Sequence, residues 1–241
     1  MELKSAVEIR TADPDHRILK LGVLVAIEGI DGSGKGTQAA RLLAHFQQQG
    51  VRTGLLSFPR YQQTGFGRKI GDFLNGKFGS LSDVHPQLVA LMFAGDRFES
   101  RELIEQSIAT HDLIICDRYV ASNIAHQAAK ASHDEAAELI NWIKQLEYQI
   151  YRLPLAELTI FLDVPVPQAQ QLIAAKSKRD YTDKSADLQE ADGVYLQHVR
   201  EIYLQLADGP GWHRIHCMDH DRLRSQDEIT ADLVAAVSQV L

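Results

Sequence analysis

The apolar run Val23-Leu24-Val25-Ala26-Ile27 ends at Glu28 and passes through Gly29-Ile30-Asp31-Gly32-Ser33-Gly34-Lys35-Gly36-Thr37 into a helix-like stretch over 37–49. A short unbroken apolar run that stops at glycines reads as a strand buried on both faces. The glycines let the backbone wrap with its N–H groups inward, the following helix adds its positive end, and Lys35 adds a mobile ammonium. This order of strand, loop, lysine and helix is a phosphate cradle. A nucleoside triphosphate is its expected guest.

One place departs from the common pattern G-x-x-x-x-G-K-[ST]: Gly36 stands where a hydroxyl usually follows the lysine. Thr37 lies one residue further, about 100° around the helix, so its hydroxyl leaves from another side. The loop therefore offers no hydroxyl in the usual magnesium-ligating position.

Further apolar runs repeat the theme. Residues 51–58, 113–116, 158–162 and 212–217 read as strands, with helical stretches over 87–108, 135–151, 167–176, 189–206 and 226–240. Such alternation implies an α/β fold with a parallel sheet of about five strands, covered by helices on both faces. At 241 residues, 45% of them apolar, the chain suits one domain over 21–241. Residues 1–20 mix acidic and basic side chains without an apolar centre, so a mobile extension is expected there and a secretory signal is not.

Composition excludes several classes. A formal charge of -7 argues against a nucleic-acid polymer as partner and favours small nucleotides gripped by local arginines. The only cysteines, Cys116 and Cys217, form no C-x-x-C pair, so neither a disulfide framework nor a zinc site is expected, and a reducing cytoplasm fits. No apolar run is long enough to span a membrane.

In parallel sheets ligands gather at the carboxyl ends of strands. Three such places besides the cradle are chemically loaded: Phe58-Pro59-Arg60-Tyr61, Asp117-Arg118-Tyr119, and Asp163 before Pro165. If the 113–116 strand neighbours the first, Asp117 can hold magnesium or its waters and Arg118 can bridge phosphates during an in-line transfer. Arg60 is a second guanidinium with another phosphate as natural partner. Two arginines and a lysine suit a row of four phosphates, three from a donor and one from an acceptor, which means a kinase rather than a hydrolase. For Asp163 the favoured reading is a cap on the following helix. Phe93 and Arg97, four apart on one helix with Arg101 a turn later, suggest a base clamp: a ring to stack and a guanidinium for a carbonyl such as O4 of thymine or uracil. Taken alone, a phenylalanine such as Phe93 is more often core and an arginine such as Arg97 more often a solvated charge.

Together these segments resemble the thymidylate kinases of the P-loop nucleoside monophosphate kinase family. The likeness rests on the loop 29–37, on Phe58-Pro59-Arg60-Tyr61, on Leu91-Met92-Phe93-Ala94-Gly95-Asp96-Arg97, on Asp117-Arg118-Tyr119-Val120-Ala121-Ser122-Asn123 and on Phe161-Leu162-Asp163-Val164-Pro165. It implies ATP- and magnesium-dependent phosphorylation of dTMP to dTDP by a homodimer. It also implies that Phe93 stacks on thymine, Arg97 reads O4, Asn123 contacts the base edge, and Asp31 faces the 3'-hydroxyl. Arg60 and Arg118 would hold the acceptor phosphate, while Phe58, Tyr119, Ser122 and His126 would line the dTMP pocket. Gly29, Asp31, Gly32, Ser33, Gly34, Lys35, Gly36 and Thr37 would surround ATP, joined by Lys178 and Arg179 from a lid over about 176–188.

The likeness has its departures. Gly36 replaces the usual Ser or Thr, leaving magnesium mostly to phosphates and water, with Asp117 as the protein ligand. His126 stands where many relatives carry an aromatic ring beside the deoxyribose. Gly32 stands where some carry an arginine, which points to the lid type. The competing readings are another nucleoside monophosphate kinase, preferring dUMP or AMP, and a nucleotide-binding regulator without transfer activity.

Overall fold

The computed structural model describes residues 21–175, 188–189 and 192–241. The extension 1–20 and nearly all of the expected lid, with Lys178 and Arg179, lie outside the described residues.

Five parallel strands form the central sheet: β1 Val23–Glu28, β2 Thr53–Ser57, β3 Leu113–Asp117, β4 Leu158–Asp163 and β5 Trp212–His216, in the order β2-β3-β1-β4-β5. Leu113–Asp117 does neighbour the first strand, with Ile27 in register with Asp117. Side chains alternate across a strand, and the two faces of β1 lie in different cores. Val23, Val25 and Ile27 pack with Ala39, Leu42 and Phe46 of α1 (Lys35–Gln48) and with Leu233 and Val237 of α9 (Gln226–Ser238). Leu24 and Ala26 pack with Ile104 of α4 (Arg101–Thr110) and with Leu139 and Ile143 of α6 (His133–Lys144). Burial on both sides is why β1, β3 and β4 read as unbroken apolar runs. Each buried Leu or Ile contributes about 1.5–3 kcal/mol.

The long helix expected over 87–108 is two helices, α3 (Pro86–Glu99) and α4. Ser100 separates them: its hydroxyl donates to Asp96 O at 2.8 Å and its N–H to Arg97 O at 3.1 Å, local bonds that turn the chain. Arg101 thereby leaves the Phe93–Arg97 face and pairs with Glu105 at 2.7 Å. The helix expected over 135–151 starts at a Ser132–Glu135 capping box and widens into a π-helical turn, Gln145–Ile150. Further helices are α2 (Gly65–Leu74) and α5 (Val120–Ala128), both of which periodicity missed, and α7 (Val166–Ala174). The stretch expected to be helical from 189 begins later, as α8 (Gly193–Ala207), capped by Asp192, whose carboxylate accepts from Tyr195 N at 3.0 Å. A small hairpin, β6 (Met218–Asp219) with β7 (Arg222–Leu223), also escaped the sequence reading.

Asp163 does not cap a helix. Pro165 holds the N-cap position of α7, and the buried Asp163 carboxylate accepts from Arg200 Nε at 2.7 Å and Arg214 Nη2 at 2.6 Å, tying β4 to α8 and β5.

Candidate active site

The cradle is built by β1, the loop 29–34 and α1. Gly34 is left-handed and has no side chain to cap α1, and the first turn carries no acid. The leading N–H groups and the positive end of the helix therefore face the loop. Gly32 has φ +79°, and a Cβ there would lie 2.2 Å from Ala169 O of α7. Only glycine fits, so this chain cannot carry an arginine at 32 without displacing α7. Lys35 curls back, donating from Nζ to Ile30 O at 2.7 Å. Burial, then the neighbouring Arg118, lowers its pKa from 10.5 to about 8. A Cβ on Gly36 would lie 3.0 Å from Asp117 Oδ2, so the Asp117 carboxylate borders the space that a loop Ser or Thr would enter.

Beside the cradle, Arg118 sits at the end of β3 with φ +67°. Its guanidinium is paired with Asp31 of the loop and donates from Nη1 to Ser122 Oγ at 3.1 Å and to His126 Nε2 at 3.4 Å. Burial disfavours its charge, but the surrounding acidic groups, Asp31 first and then Tyr203, Asp117 and Glu28, together outweigh this and the pKa is raised.

His126 has a definable tautomer. The Tyr195 hydroxyl donates its proton to His126 O at 3.0 Å, so at the 2.9 Å contact between Nδ1 and that hydroxyl the ring must be the donor. Nε2 is then the acceptor facing Arg118. Burial holds the pKa of the ring down at about 3, so its 4.0 Å approach to Asp31 involves a neutral imidazole.

A pocket opens beside Arg118, and Asp31, Phe58, Phe93, Arg97, Asn123 and Gln127 are among the residues that line it. Arg97 is buried and paired with Glu147 through Nε at 2.5 Å and Nη2 at 2.6 Å. Asn123 donates from Nδ2 to Ala90 O at 3.0 Å and to Glu147 at 2.9 Å, while its Oδ1 is buried without a partner. Gln127 shows the opposite pattern: Oε1 accepts from Lys130 at 3.0 Å and Nε2 is buried and unpartnered.

The sequence profile described as Thymidylate kinase matches residues 27–226, which span all of these segments. The chain belongs to the thymidylate kinase family. The thymidylate kinase of Mycobacterium tuberculosis (strain H37Rv) is 32% identical over 191 residues, 79% of this chain and 87% of that protein. The probable thymidylate kinase of Thermococcus onnurineus is 34% identical over 224 residues, 91% and 98% of the two chains. In three dimensions the chain resembles the thymidylate kinase of Candida albicans, with a TM-score of 0.67, 25% identity and coverage of 91% and 92%. This thymidylate kinase family member is accordingly an enzyme that phosphorylates dTMP, with a P-loop sheet of the kind expected.

Of the residues expected at the thymidylate kinase site, Asp31, Phe58, Phe93, Arg97, Arg118, Ser122, Asn123 and His126 converge on the pocket. Tyr119 lies behind it, fully buried, its hydroxyl donating to Pro154 O at 2.9 Å. Arg60 is not among the lining residues: its Nη1 donates to Ser100 Oγ at 3.1 Å, and its N–H is held by Asp96 at 3.0 Å. Sequence reasoning missed Gln127, Glu147 and Glu28. Glu28 is a buried hub at the end of β1 that accepts from Tyr119 N at 2.7 Å, Ser122 Oγ at 2.6 Å and Tyr203 Oη at 2.8 Å. Burial raises its pKa. Glu147 did leave a signal, since it follows Leu139 and Ile143 on the apolar side of its helix.

Proposed function

We propose that ATP occupies the cradle with its outer phosphates toward Lys35, and that dTMP enters the adjoining pocket with its phosphate toward Arg118. Phe93 stacks on thymine. Arg97 donates to O4, and Asn123 Oδ1 accepts the N3 proton. Gln127 Nε2 is a further donor for a base carbonyl. The single observation that carries this reading is the unpartnered Asn123 Oδ1: it is a buried acceptor beside a buried guanidinium, and thymine presents the complementary donor and carbonyl.

Transfer requires no general base, because the acceptor phosphate oxygen is already ionised near neutral pH. Arg118 neutralises charge between donor and acceptor, and its pairing with Asp31, Ser122 and His126 holds the guanidinium ready. Asp31 also faces the sugar. Lys35 leaves Ile30 O to meet the phosphates. Arg60, whose neighbours Pro59 and Tyr61 both line the pocket, reaches the acceptor phosphate by releasing Ser100.

Asp117 is the protein group for magnesium. No set of three potential metal-ligating side chains occurs among the described residues, and a single carboxylate beside Gly36 suits a hard cation that keeps its waters and phosphate ligands. When bound, magnesium neutralises the phosphate oxygens. Lys178 and Arg179 are proposed to close over ATP from the lid.

We also propose a homodimer that covers the exposed Leu88 and Phe98 of α3 and the nearby Ile150. Two buried free cysteines support a reducing cytoplasm. No helix among the described residues is long and apolar enough to cross a membrane.

The base reading is tested by calorimetric titration of dTMP into Arg97→Ala and Asn123→Ala. Each is expected to lose about 1–3 kcal/mol of binding. Unchanged affinity in both would place the base elsewhere.

A further inference from the structure

Behind the base-reading wall lies one residue that touches both readers. Glu147 is fully buried on the π-helical turn 145–150. Widened turns of this kind are often found at functional sites. Its Oε2 accepts from Arg97 Nε, and its Oε1 accepts from both Arg97 Nη2 and Asn123 Nδ2.

This arrangement fixes the Asn123 amide by chemistry. A carboxylate and a carbonyl can only accept, so the end that meets Glu147 and Ala90 O must be the NH₂ end. The opposite orientation would set Oδ1 against two acceptors. Oδ1 is thereby left in the pocket wall as an acceptor, while the guanidinium of Arg97, tethered by the same carboxylate, supplies a donor.

We propose that Glu147 is a positioning residue that determines base specificity: by accepting from Arg97 and Asn123 together, it locks a donor next to an acceptor. The pocket then admits a pyrimidine with a C4 carbonyl and N3–H and refuses one with a C4 amino group and a bare N3. This rests on the reading of the pocket as the thymine site. Glu147 itself touches no substrate. Its effect is transmitted through two side chains whose alternatives it forbids.

The test compares dTMP with 5-methyl-dCMP, which differ only at C4 and N3, in steady-state kinetics with saturating ATP. The native enzyme is expected to prefer dTMP in kcat/KM by at least about 100-fold. In Glu147→Gln one acceptor becomes a donor facing Arg97 or Asn123. The KM for dTMP is expected to rise about tenfold and the preference to narrow about tenfold, with the KM for ATP within about twofold. Glu147→Asp keeps the charge that Arg97 requires in the core and withdraws only its reach; it should fold where the amide does not and narrow the preference in the same direction. A merely structural loss lowers the amount of active enzyme for both nucleotides equally and moves neither the ratio nor KM. Variants with lowered thermal stability but native preference would overturn the role of Glu147 alone. No preference in the native enzyme would overturn the reading of the pocket, and the inference with it.

Discussion

Asp31, from the loop after β1, is paired with Arg118, from the end of β3. The pair joins the cradle to the pocket, because Asp31 belongs to one and both residues line the other. Arg118 is thus held at the junction of cradle and pocket, where the proposed donor and acceptor phosphates would meet. It keeps its aim through Ser122 and the neutral imidazole of His126.

Arg118→Ala should therefore damage chemistry more than binding. A group that neutralises charge between two phosphates acts chiefly in the transition state, so kcat should fall on the order of a thousandfold while the KM for dTMP rises only about tenfold. Equal factors in the two constants would remove Arg118 from the transition state.

Lys35 predicts a pH dependence of ATP binding. Its folded pKa of about 8 lies below the ordinary 10.5, so between these values the folded protein holds fewer protons than the unfolded chain. The charge on Lys35 accordingly costs stability below pH 8, and that cost disappears as pH rises. A bound phosphate favours the ammonium, so ATP affinity should fall above about pH 8, by up to about tenfold per unit. Calorimetry between pH 7.5 and 9.5 should show this slope in the native protein and a flat line in Lys35→Arg. Parallel slopes would assign the titration to another group.

Gly32→Ala should destabilise the fold by about 2–4 kcal/mol. The added methyl meets the Ala169 carbonyl at 2.2 Å, and φ is left-handed. Thermal unfolding checks it, and a midpoint within a degree of the native value would mean that α7 yields easily.

Asp163→Ala separates structure from catalysis at the end of β4. It frees Arg200 and Arg214 and leaves both guanidinium groups partly solvated, so the expected loss is about 2–3 kcal/mol. Denaturant titration should show that loss while the KM for dTMP stays within about twofold. A large change in KM with little change in stability would return Asp163 to the site.

The cradle and the three central strands were legible because buried parallel strands leave unbroken apolar runs and the phosphate loop leaves glycines; β2 and β5, at the edges of the sheet and partly exposed, leave weaker runs. The base clamp was legible only as a pair, Phe93 and Arg97, whose composition equally suits a core. What escaped was set by side-chain bonds that periodicity does not record. Ser100 divides one predicted helix in two by bonding to Asp96 and Arg97, and Asp163 looked like a cap because its arginine partners lie 37 and 51 residues away. Glu147 and Glu28 read as ordinary acids beside apolar runs, and only the packing shows that each organises several donors. Gln127 differs from a surface glutamine only by its burial.

Base recognition through Arg97 is tested most simply by ADP release from ATP and magnesium with dTMP, dUMP, dCMP and AMP offered separately, with Arg97→Ala in parallel. The native enzyme is expected to prefer dTMP clearly over dCMP and AMP, and the variant to lose the discrimination against dCMP. Preference for AMP, or a variant that still refuses dCMP as strongly as the native enzyme, would contradict this reading.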